Sequence, residues 1–68
     1  MNQREVRAAL YNLAWDLTVG QGDDSKDEPD DQALLKAAKL RGVLGLNADD
    51  LAFFQDAWRH CLQDMRQP

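Results

Sequence analysis

Residues 40–55 read LRGVLGLNADDLAFFQ, and three local signals inside this stretch set the fold class. Gly45 follows an apolar helical pattern and is the expected stop of one helix, because helix C-termini commonly pass through a left-handed glycine. Asn47 is a residue type that accepts backbone N–H groups at a helix start, and Asp50 three residues on occupies the capping-box position. Leu46 and Leu51 flank that cap as a hydrophobic staple does. From Leu51 the apolar residues recur at three, four, three and four, through Phe54, Trp58, Cys61 and Met65. Phe53, Ala57 and Leu62 widen the same face, so a helix is predicted over 48–66. Gly42, inside the preceding pattern, costs about 1 kcal/mol relative to alanine in a helix interior. Its presence asks for a packing or turn reason.

Upstream, Val6, Leu10, Leu13 and Leu17 fall at four, three and four, with Ala14 beside them. Tyr11, Trp15 and Val19 make a second apolar line, an arc wide enough to face more than one neighbour. The predicted helix runs over 2–19 and is ended by Gly20 and Gly22. A second helix is predicted over 31–44, with Ala33, Ala37, Leu40 and Leu44 on its apolar face and Leu34, Ala38 and Val43 flanking them. Pro29 disfavours helix at Glu28 and sets a start at Asp30 or Asp31, where negative charge suits the helix dipole. Residues 21–31 carry six acidic groups against Lys26 and no apolar side chain but Pro29. Such a run buries too little to order itself, so 20–30 is predicted as a mobile acidic loop. The expectation is one all-α domain over 1–68, a small three-helix bundle.

At 68 residues such a domain is near the lower limit for a self-sufficient core. One cysteine allows no internal disulfide and no zinc-type pair, so no cofactor or metal is expected and self-association as a homodimer is an expected source of further buried surface. No 18-residue apolar run or signal-type segment is visible, which points away from a membrane partner and, with the lone thiol, toward a reducing cytoplasm. The formal charge of −4 disfavours generic binding to phosphate backbones or anionic membranes.

Candidate sites are few. His60 and Cys61 are adjacent, so on a helix they diverge and cannot share a proton as nucleophile and base. Cys61 belongs to the core stripe and His60 to the surface or rim. Asp23, Ser25, Asp27 and Asp31 fit positions one, three, five and nine of an EF-hand count, but Glu28 stands where glycine is needed and Leu34 where a bidentate Glu is needed. A solvated acidic loop is therefore the reading. No catalytic constellation is expected. Phe54 and Trp58 read as core. For Tyr11, Trp15 and Phe53, core and partner interface both stay open, because one small bundle cannot enclose every stripe. Arg4, Arg7, Lys36, Lys39 and Arg41 would gather on one face if the first two helices packed side by side.

The segments AALYNLAWDL and LLKAAKLRGVLGLNADDLAFFQ, either side of the polar loop, resemble the DALR-type helical domain that follows the catalytic core of cysteinyl-tRNA synthetases. The matching residues are Leu10, Leu13, Ala14 and Leu17, then Leu40, Val43, Leu44, Gly45, Leu46, Ala52, Phe53, Phe54 and Gln55. No nucleotide-binding or zinc-ligand motif of such an enzyme is present. The resemblance implies a non-catalytic domain contributing to tRNA binding or synthetase assembly, with Lys36, Lys39 and Arg41 as the RNA-contact candidates. The alternatives are a homodimeric adaptor or regulator acting by protein–protein contact, and an acidic nucleic-acid mimic that inhibits a nucleic-acid-binding protein.

Overall fold

A computed structural model describes residues 2–22 and 27–67, and among them it contains three helices and no strand. The helices are α1, Gln3–Leu17, α2, Asp31–Leu40, and α3, Ala48–Arg66. The all-α three-helix fold expected from the periodicity is the one found.

Each helix starts on a side-chain cap. Asn2 accepts from the Glu5 N–H at 2.9 Å and Asp30 from the Ala33 N–H at 2.8 Å. At α3 the capping box is complete. The Asn47 side chain accepts from the Asp50 N–H at 2.8 Å, and the Asp50 carboxylate accepts from the Asn47 N–H at 3.1 Å. A cap of this kind contributes about 1 kcal/mol. Here it also fixes where the longest helix enters the core, because Leu46 and Leu51 on either side both pack against it.

The main interhelical contact joins α1 to α3. The Arg7 guanidinium lies 5.5 Å from the Phe53 ring centre, and the Tyr11 and His60 rings are 6.2 Å apart. Residue numbers thus rise together along both helices, so α1 and α3 run in the same direction. Leu10, Leu13 and Ala14 from α1 meet Phe54, Ala57, Trp58 and Cys61 from α3, with Leu34 from α2 closing the cluster. The Phe54 and Trp58 rings are 6.0 Å apart and tilted, a favourable aromatic geometry. Both were expected in the core, as was Cys61.

The first helix ends earlier than the expected 19. Thr18, fully buried, donates its hydroxyl to the Ala14 carbonyl at 2.8 Å, and the Gly20 N–H reaches back to the Trp15 carbonyl at 2.9 Å. The chain wraps so tightly that a Cβ on residue 20 would sit 2.8 Å from the Asp16 backbone oxygen. Glycine is required there by the close approach.

The second helix departs from expectation more. It stops at Leu40, four residues short of the predicted 44, and Gly42 rather than Gly45 turns the chain. Gly42 has φ +80°; its N–H bonds to the Lys39 carbonyl and the Val43 N–H to the Ala38 carbonyl, both at 2.9 Å. That double closure is a Schellman motif, and Val43 is buried just beyond it. The turn reason for Gly42 is therefore a left-handed C-cap. The buried face is correspondingly Leu34 and Ala38, not Ala33, Leu40 and Leu44, all of which are exposed. Residues 20–22 form a turn and 27–30 have no regular structure, while 23–26, where the expectation of a mobile loop is centred, lie outside the described residues.

Candidate interaction surface

The turn at Gly42 sorts three apolar side chains. Val43 is drawn inward, whereas Leu40 is left 83% exposed and Leu44 69% exposed. Arg41, between them, makes a 2.8 Å ion pair with Asp16. This pair ties the C-cap of α2 to the end of α1, next to Trp15, which is itself 46% exposed. From there residues 42–47 run back along α1, since Leu44 and Gly45 share a depression with Gln3, Val6, Asn47 and Asp50. That depression, about 360 Å³ and open, has its best polar groups already engaged, because Asn47 and Asp50 satisfy each other.

Of the three RNA-contact candidates, Lys36 and Lys39 are exposed on α2, and Arg41 is held by Asp16. Arg7 is committed to the Phe53 face between α1 and α3. The side-by-side packing of α1 and α2 on which a joint basic face depends is not the principal contact, because α1 packs chiefly on α3. Of the three interface candidates, Trp15 is substantially exposed, while Tyr11 and Phe53 are half-buried against the core. Leu35, 42% exposed, and the two leucines beside Gly42 are the surface residues that periodicity missed. Leu35 had a legible signal. It follows Leu34 directly, and adjacent helical residues diverge by about 100°.

Tyr11, His60, Cys61 and Asp64 meet along the α1–α3 seam. His60 Nε2 is 3.4 Å from an Asp64 carboxylate oxygen on the outside, and Cys61 lies buried beneath. Burial first, then the Cys61 thiol and the Asp64 charge, push the Tyr11 phenol above its ordinary 10.0. A raised value means that the folded state resists losing this proton, so the stabilisation is complete below the unfolded phenol's pKa and is lost as pH climbs through the folded one. Urea midpoints measured upward from pH 10.0 are expected to fall more steeply for the native chain than for Tyr11→Phe. Parallel alkaline limbs for the two proteins would show that the phenol is not linked to folding.

Among the described residues no three His, Cys, Asp or Glu side chains assemble to hold a metal ion, and no helix is long and apolar enough to cross a membrane. The EF-hand count rests on Asp23 and Ser25, which lie outside those residues, as do Asp23 and Asp24 of the acidic-mimic reading. No family model, no curated protein and no solved structure matches the chain.

Proposed function

We propose that this chain is a non-catalytic helical interaction module that binds a protein partner through Leu40 and Leu44. The observation that supports it is the Gly42 turn, which holds two leucines outward while burying the valine between them. Scattered exposed leucines are ordinary. Two flanking one Schellman turn, whose Arg41 pairs with Asp16 of α1, form an apolar anchor of the kind that carries binding energy. The setting is a reducing cytoplasm, in keeping with the lone buried thiol.

A second reading follows from the resemblance to the DALR-type domain of cysteinyl-tRNA synthetases. Lys36 and Lys39 remain exposed on the same helix and suit contact with tRNA phosphates. The two readings separate experimentally. Under the first, the double variant Leu40→Ser, Leu44→Ser keeps the native circular-dichroism spectrum and loses the partner captured by the native chain. Retention of the same partner by both sinks it. Under the second, tRNA retards the native chain in a low-salt gel and Lys36→Glu with Lys39→Glu abolishes the shift.

A further inference from the structure

Asp31, Leu35 and Lys39 are spaced four apart on α2, and all three are exposed. Four residues advance a helix by slightly more than one turn, so the three side chains form one stripe reading acidic, apolar, basic. Asp31 and Lys39 are about 12 Å apart along the axis, too far to pair within the helix. Neither makes an ion pair with any described residue. The stripe is complementary to its own reverse.

We infer that the partner of this stripe is a second copy of the chain, bound by antiparallel pairing of α2 with α2. A twofold axis through Leu35 packs Leu35 on Leu35 of the second copy. It sets Asp31 against the second copy's Lys39, and Lys39 against its Asp31. One surface contacts itself, as a closed twofold interface requires, and both charge pairs form at once. The polarity extends beyond the stripe. Asp27, Glu28 and Asp30 precede Asp31, while Lys36 accompanies Lys39, so the parallel arrangement would oppose like charges along the whole helix. Leu35 is 42% exposed on α2, which gives the pairing an apolar centre.

The geometry also limits the strength. A helix of 10 residues is about 15 Å long, so the contact falls at or below the roughly 1,200 Å² at which stable interfaces begin. A weak dimer, populated in the high-micromolar range and weakened by salt, is expected. Leu40 lies five residues beyond Leu35, about 140° round the helix. The leucine surface proposed for the protein partner therefore stays open in the dimer, and either proposal can fail without the other.

Charge reversal tests the inference. In analytical ultracentrifugation at low salt the native chain should dimerise with rising concentration. Asp31→Lys alone, or Lys39→Asp alone, should weaken that association by about tenfold or more, because each creates two like-charge contacts. An equimolar mixture of the two variants should associate again, since each then presents the charge that the other lacks. The double variant Asp31→Lys, Lys39→Asp should self-associate like the native chain. Circular-dichroism melts of each variant verify that α2 remains folded, and Leu35→Glu, at an exposed position, should also abolish the dimer. A native chain that stays monomeric at submillimolar concentration overturns the inference. So does a dimer indifferent to both reversals, or a mixture that fails to associate.

Discussion

Phe54→Ala is expected to leave the protein largely unfolded at physiological temperature. The Phe54 ring is completely buried, stacked at a tilt against Trp58 and enclosed by Leu10, Leu13 and Leu34 of the same cluster. Removing it forfeits the transfer energy of the ring and opens a cavity, together about 3–5 kcal/mol. In a domain of fewer than about 70 residues a single core rarely supplies more than about 3–5 kcal/mol in total. The loss therefore consumes most or all of the margin, and a single cysteine leaves no internal disulfide to make up the difference. Phe53→Ala is the control. That ring is half-buried and lies beneath the Arg7 guanidinium, so its loss removes one exposed cation–π contact and partial packing, about 1 kcal/mol or less beyond the area term. Far-ultraviolet melts of the two variants should differ widely, with a cooperative transition kept by Phe53→Ala and absent from Phe54→Ala. Similar melts would mean that the adjacent phenylalanines share the core equally.

The contrast between neighbours at 53 and 54 shows which features sequence can convey. The α3 stripe and its Asn47–Asp50 cap were legible because both depend on residues within one turn of each other, and local physics alone sets them. The α1 stripe was legible for the same reason; Leu10, Leu13 and Ala14 are buried where the period placed them. The end of α2 was not. A periodicity count runs through Gly42 to Leu44 against only the roughly 1 kcal/mol that the glycine costs, since Ala37, Leu40 and Leu44 keep helical spacing across it. What competes with that continuation is the burial of Val43 just after a left-handed Gly42. That competition is between a local pattern and a tertiary one, and only the folded chain resolves it. The same is true of the surface. Leu40 and Leu44 are exposed as a consequence of where the helix stopped, and the Arg41–Asp16 pair spans two helices whose mutual placement no single segment encodes. The candidate interface was thus readable at Trp15 and unreadable at the leucines.

Leu34→Ala is the second large effect, and it should act on one helix before it acts on the whole. The α1–α3 pair forms the main contact of the fold, whereas α2 is fastened to it through Leu34, with Ala38 and then Val43 as the smaller buried contributions. Leu34 is the one large α2 side chain inside the core cluster. Its truncation should cost about 2–5 kcal/mol if the cavity cannot collapse. A 10-residue helix has little stability of its own, because isolated helices shorter than about 12–15 residues are marginal in water. Once undocked, α2 has no reason to stay helical. Native-state hydrogen exchange should therefore show the amides of residues 34–41 losing protection first, at a free energy below that of Leu10–Ala14 and Phe54–Cys61. Equal loss at every amide would instead make α2 an inseparable part of one cooperative unit. The undocking has a functional reading as well. Leu35, Lys39 and Leu40 all ride on α2, so Leu34→Ala should weaken both self-association and partner capture although the residue itself touches neither surface. Exposed substitutions act differently. Leu40→Ser should remove partner capture alone and Lys39→Asp self-association alone, with the exchange protection of α2 lowered by no more than about 1 kcal/mol in either. The buried leucine is where the two surfaces share a single support.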